Sequence, residues 1–335
     1  MRIGFVYDLR DEYLAMGYSP EQTVEFDTQG TIDEIASALE RIGHAVERIG
    51  HARKLAQRLV LGERFDLVFS IAEGLKGRGR EAQVPALCEL YDQPFVFSDS
   101  VTMGVALDKA LAKRVVRDHG VPTAPFMLYR SSEEDLSGWT HYPAFVKPLA
   151  EGTGKGCELG SLVQDEAQLR NAATGLVHRF QQPALVEAYL PGREFTIGIV
   201  GNGDEARVVG YMEIHMKPDA DAGVYSMRNK EESEELVDYR RPPVDDAVVK
   251  LCEHALAAYH ALECRDSCRL DFRCDERGVP VFMEANPIAG LHPTHSDLPI
   301  LSGLAGLGYD RLMAMILDAA ARRYGIGAAA ELKVG

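Results

Sequence analysis

Along the first hundred residues the apolar positions switch between two periods. Residues 2–8 alternate in the manner of a buried first strand. Over 31–43 the period is helical: Ile32, Ile35, Ala36, Leu39 and Ile42 share one face, and Gly43 ends it. The pattern then predicts a strand over 45–49, a strongly apolar strand over 65–71, a helix over 82–91 and a strand over 95–98. Strand and helix in alternation predict a small, mostly parallel, doubly wound lobe over residues 1–100.

Beyond it the spacing predicts helices over 108–119, 166–179, 247–260 and 310–324. Strands are expected over 144–147, 184–188, 194–200, 268–274 and 281–285, the last two as a β-pair. From 216 to 243 the pattern dissolves into charged and small residues, which predicts a long mobile loop. Residues 326–335 are rich in Ala and Gly and read as a fraying tail.

Composition narrows the function. The chain has 335 residues, 46% of them hydrophobic, which is too long for one simple core and implies two or three lobes. Its 51 acidic residues against 36 basic ones give a net charge of −15, which argues against nonspecific nucleic-acid binding and against an anionic membrane. A local Lys/Arg cluster can still bind phosphate. No apolar run approaches the length of a membrane span, and the apolar start is too short for a signal peptide, so a cytoplasmic location is expected. Cys252, Cys264, Cys268 and Cys274 cluster in sequence. A zinc site is one reading. The absence of a close C-x-x-C pair and the alternation of Cys268, Leu270, Phe272 and Cys274 on one strand face favour apolar core cysteines.

Three segments carry chemistry. The first is Arg269-Leu270-Asp271 followed by Glu284-Ala285-Asn286. Alternate strand residues share a face, so pairing the two strands can gather Asp271, Glu284 and Asn286. Three hard oxygen donors suit Mg²⁺, which keeps waters and binds substrate phosphates as well. An exposed polar strand face explains one such acid well, and three flanked by apolar residues poorly. The second is Lys147-Pro148 followed by the loop Glu151-Gly152-Thr153-Gly154-Lys155-Gly156, whose glycines let backbone N–H groups turn toward phosphate. It is not a Walker loop, which needs Gly-Lys-Ser/Thr opening a helix. The third is Val186-Glu187-Ala188-Tyr189-Leu190 with Gly192-Arg193-Glu194, an extended segment able to offer backbone groups to a base and a carboxylate to a ribose.

Together with Asp108-Lys109-Ala110 and Lys113, these segments resemble the ATP-grasp superfamily and, within it, the D-alanine–D-alanine ligase family, in the right order over nearly the whole chain. The resemblance implies an α/β and α+β fold: an N-terminal Rossmann-like (preATP-grasp) domain over 1–100, then a two-lobed ATP-grasp domain, with the small lobe over 101–187 and the C-terminal lobe over 188–325. It implies an ATP-dependent carboxylate–amine ligase working through an acyl phosphate, with ATP and Mg²⁺ as cofactors (Mn²⁺ as a substitute), small amino-acid or carboxylate substrates, and a possible homodimer. By the same resemblance Lys109 and Lys147 would contact the α- and β-phosphates. Gly152, Thr153 and Gly154 would cover the phosphates, Glu187 and Leu190 would meet adenine, and Glu194 the ribose. Lys230 would reach the γ-phosphate from the long loop. Asp271, Glu284 and Asn286 would hold Mg²⁺. Arg269 and the Gly290 N–H would stabilise the developing oxyanion.

The departures fall on the amino-acid side. The family holds the first substrate's amine with a Glu after the first strand; here region 8–30 is longer and Glu25 is the counterpart. Glu73-Gly74 stands where the family has His-Gly, and Thr153 and Gly154 replace two serines. Glu231 follows Lys230 where a Tyr is usual, and the segment from Leu291 to Ser296 is one residue longer. The expectation is the family's chemistry with an altered amino-acid pocket, in which Glu25, Glu73 and Ser296 face substrate. The alternative is a genuine D-alanine–D-alanine ligase. A non-catalytic nucleotide binder would not need Arg269 together with all three metal-ligand candidates, and a hydroxyl kinase would not need the Arg269 and Gly290 arrangement.

Overall fold

The computed structural model describes residues 1–219 and 233–327. The first lobe is a parallel three-stranded sheet of β1 (Arg2–Val6), β2 (Ala45–Gly50) and β3 (Leu67–Ser70), in the order β2-β1-β3. The expected helix is Gln29–Arg41, started by the Thr28 hydroxyl accepting from the Thr31 N–H and burying Ile32, Ile35, Ala36 and Leu39. The strand expected at 95–98 is not one. Phe95 makes only an isolated bridge to Val68. The chain then leaves the sheet because Phe97 takes a left-handed conformation (φ 78°) and gives its N–H to Asp266 Oδ2 at 2.8 Å.

The second sheet is antiparallel: β4 (Phe126–Tyr129), β5 (Ala144–Pro148), β6 (Leu162–Val163) and β7 (Ala184–Ala188), in the order β4-β7-β5-β6. Helix Glu166–Phe180, capped by Asp165, covers one face through Leu169 and Ala173. The third sheet holds β8 (Glu194–Val200), β9 (Arg207–Met216), β10 (Val237–Arg240), β11 (Ser267–Cys274) and β12 (Pro280–Asn286), in the order β10-β9-β8-β11-β12. Helix Asp246–Ala261 packs on it, and Cys264, Cys268 and Cys274 lie in the shared apolar core with Leu270, Phe272 and Phe282.

A second expectation needs correction. The 216–243 stretch is not all loop: Met216 pairs with Val237 and His215 with Asp238, and Ile214, Leu236 and Val237 form a small apolar cluster. Lys230 and Glu231 lie outside the described residues. The lobes also interlock. Ala112 and Val116 of helix Lys109–Asp118 enter the C-terminal core, and helix Tyr309–Arg323 joins the N-terminal core against Ile32, Ile35 and Leu39. Among the described residues no single helix is long and apolar enough to cross a membrane.

Candidate active site

Strands β11 and β12 build the centre of the site. Their register sets Asp271 opposite Glu284 and Arg269 opposite Asn286, so period-two alternation sends all four to one face. Asp271 accepts from Thr196 Oγ1 at 3.0 Å and from Asn286 Nδ2 at 3.3 Å. Arg269 Nη2 lies 3.0 Å from Asp271 Oδ2 and Nη1 lies 3.1 Å from Asp297 Oδ2. Burial pulls the Arg269 guanidinium down, but Asp271, Asp297 and Glu284 outweigh it and hold the group above the ordinary arginine value. Lys109 Nζ reaches Glu284 Oε2 at 3.3 Å. Two carboxylates and an amide in register, balanced by two cations, are a hard-oxygen donor set that fits Mg²⁺ with waters completing its shell.

A second group of charges is more deeply buried. Lys147 is the penultimate residue of β5, and Lys109 and Lys113 lie one turn apart on the helix capped by Asp108. Glu187 on β7 sits between Lys113 Nζ at 2.6 Å and Lys147 Nζ at 2.7 Å, with its side chain only 2% exposed. Burial alone would raise the Glu187 carboxyl; the two lysines outweigh it and bring it down to about 2. Lys113 also donates to the Phe282 carbonyl at 2.9 Å, which ties this triad to β12.

The Gly-rich loop follows β5. Thr153 and Gly154 both take left-handed conformations (φ 52° and 69°), a conformation unusual for a β-branched residue. The loop is tied at both sides. Lys109 Nζ donates to the Glu151 carbonyl at 2.6 Å, and the Gly152 N–H donates to Glu25 Oε1 at 2.5 Å. Glu25 in turn pairs with Arg80 at 2.9 Å, and Arg80 donates to the Ala150 carbonyl at 2.7 Å. Glu25 therefore braces the loop.

Glu73 lies in a carboxyl-rich cluster next to this brace. Burial first, and then Glu81 and Glu25, push its carboxyl well above the usual range, with Arg80 opposing. Glu81 is raised to about 7 by burial, against Arg80 and Lys109. Asp27 is raised to about 7 by burial, with Arg10 opposing and Asp8 adding to it. Arg78 pairs with Asp108 instead of Glu73.

One open cleft is lined by Lys109, Lys147, Gly152, Gly154, Glu187, Leu190, Glu194, Asp271 and Glu284, so distant parts of the sequence meet there. Gly290 and Ser296 face one another beside it: a Cβ at Gly290 would lie 2.7 Å from Ser296 Oγ, the atom that accepts the His292 N–H at 3.0 Å. Sequence reasoning missed Asp297, Thr196 and Glu81, and left Arg273 without a role although alternation places it on the strand face of Arg269 and Asp271. Ser296-Asp297 ahead of the apolar helix Asp297–Leu304 was a readable helix start that would have pointed to Asp297. Thr196 is visible only through the β8–β11 register.

Residues 115–318 match the family model for the D-ala D-ala ligase C-terminus. The D-alanine–D-alanine ligase of Aquifex aeolicus is 31% identical over 245 residues, covering 72% of this chain and 79% of that protein. The one from Syntrophotalea carbinolica is 30% identical over 311 residues, covering 92% and 94%. In fold, the crystal structure of the Bacillus anthracis D-alanine–D-alanine ligase complexed with ATP superposes with a TM-score of 0.74 at 21% identity, over 97% of this chain and 99% of that one. With an ATP-grasp fold and a family match over well more than half its length, the chain belongs to the D-alanine–D-alanine ligase family and is an ATP-dependent ligase of the C–N bond-forming kind.

Proposed function

We propose that the protein joins an amino acid's carboxylate to an amine through an acyl phosphate, in a pocket altered from that of D-alanine–D-alanine ligases. The observation that carries the reading is the convergence of Arg269, Asp271, Glu284 and Lys109 on one strand face at ion-pair distances. A substrate carboxylate oxygen attacks the γ-phosphorus of ATP and ADP leaves. The amine then attacks the acyl carbon, and the bond from carbon to the phosphate oxygen breaks. Both steps gather negative charge, which fixed cations and N–H dipoles stabilise. Lys109 and Lys147 hold the phosphates, the Gly152 to Gly154 backbone covers them, Leu190 meets the base and Glu194 the ribose. Asp271, Glu284 and Asn286 hold Mg²⁺, which when bound neutralises phosphate charge. Arg269 and the Gly290 N–H face the oxyanion.

Gly290→Ala is expected to lower turnover on the order of 10²-fold, because its Cβ collides with Ser296 Oγ and shifts the N–H from its target. ADP release measured beside an unchanged melting temperature checks this, and an unaffected rate removes Gly290 from the mechanism.

The altered pocket makes a sharper claim. Glu73, Glu81 and Asp27 crowd together with too few cations to ionise fully, and a substrate bearing an ammonium or guanidinium relieves that repulsion. An ADP-release screen over D- and L-amino acids, singly and in pairs, is expected to give a basic or larger polar amino acid a higher kcat/KM than D-alanine. Should D-alanine paired with D-alanine prove best, the altered-pocket reading fails and D-alanine–D-alanine synthesis replaces it.

A further inference from the structure

We infer that Arg273 is a specificity-determining residue for the nucleoside half of the substrate, stacking its guanidinium on the purine and holding Glu194 toward the ribose hydroxyls. The inference rests on the ligase reading above, in which this cleft takes ATP.

Arg273 lies two residues beyond Asp271 on the same face of β11, so the strand that carries Arg269 and Asp271 continues toward the base end of the cleft. It stands directly opposite Glu194 in the β8–β11 register, and Nη1 is 3.3 Å from Glu194 Oε2. Its guanidinium carbon is 4.9 Å from the centroid of the Tyr189 ring, and Nη2 donates to Tyr189 Oη at 3.0 Å. The surrounding wall is apolar, made by Phe145, Leu190, Ile214 and Met283. A planar, weakly hydrated cation is thus held over one aromatic ring in a cleft with these apolar side chains in its lining, and such a cation also favours the flat π face of a purine. The pairing with Glu194 adds direction. A carboxylate only accepts hydrogen bonds, so fixing it leaves lone pairs for ribose O–H donors.

The test compares Arg273→Met and Arg273→Lys with the unaltered full chain, by calorimetric Kd for ADP and 2′-deoxy-ADP with Mg²⁺ and by steady-state kcat at saturating ATP. Arg273→Met is expected to weaken ADP about tenfold and 2′-deoxy-ADP less, with kcat within about twofold. Arg273→Lys, which keeps charge and length but loses the plane, is expected to fall between the two and carries the test if the Met variant does not fold. An unchanged ADP affinity, equal losses for the two nucleotides, or a kcat loss as large as the affinity loss would overturn the inference. If the unaltered protein binds no ADP, the ligase reading itself fails; if it binds ADP and Arg273→Met binds equally well, only the role of Arg273 fails.

Discussion

Asp271→Asn or Glu284→Gln is expected to lower turnover by about 10²–10³-fold while the fold survives. Each substitution keeps the size of the side chain and removes one negative charge from the pair facing each other across β11 and β12. Charge stabilisation at a metal-assisted phosphoryl transfer is worth several kcal/mol, and about 1.4 kcal/mol is tenfold in rate. Neither side chain fills the core: Asp271 is 18% and Glu284 19% exposed, and both face the cleft. Losing Asp271 also withdraws one acceptor from Arg269, which keeps Asp297 at 3.1 Å and therefore stays in place. The measurements are ADP release across an Mg²⁺ titration and the melting temperature. A native rate in either variant would remove the metal assignment. A rate that recovers at high Mg²⁺ would support it, because weaker ligation is then overcome by mass action.

The sequence made the local elements readable and left the long-range pairings hidden. Helix Gln29–Arg41 was legible because Ile32, Ile35, Ala36 and Leu39 keep a helical period between a Thr cap and Gly43. The pairing of 268–274 with 281–285 was legible because a short turn joins two alternating runs, and with it came Arg269, Asp271 and Glu284. Strands β9 and β10 were missed: His215 and Asp238 break the apolar signal, and their pairing spans residues whose composition reads as loop. The strand expected at 95–98 failed for the opposite reason. Phe95, Val96 and Phe97 are apolar enough, yet Phe97 turns to meet Asp266, far away in sequence. Glu187 was placed correctly on its strand, but nothing local indicated that two lysines from other elements would close on it. Glu25 was picked out as a substrate residue; its bond to the Gly152 N–H appears only when the first lobe meets the second, and its pair with Arg80 only when two separate segments of the first lobe meet.

The Glu187 triad yields the largest stability effect expected in the molecule. Glu187→Gln leaves Lys113 and Lys147 side by side without the anion that separates them, Lys113 fully buried and Lys147 nearly so. Breaking a buried ion pair by removing one partner costs about 3–5 kcal/mol, because the remaining charge stays uncompensated in the interior. The sign with pH follows from the direction of the shift. The Glu187 carboxyl is depressed from 4.5 to about 2, so its contribution is fully present above the ordinary carboxylate range. That contribution is lost as pH falls from there through about 2, since the unfolded chain takes up the proton first. Urea unfolding of the native chain and of Glu187→Gln should therefore show a gap that is constant near neutrality and begins to close below about pH 5. A gap that stays the same from pH 7 to pH 3.5 would mean that Glu187 is not held ionised by the lysines. Adding Lys113→Met to Glu187→Gln removes the second lysine's repulsion and should recover part of the loss. If the double variant is as unstable as the sum of the single ones, Lys113 and Glu187 act independently and the triad is not the source of the stability.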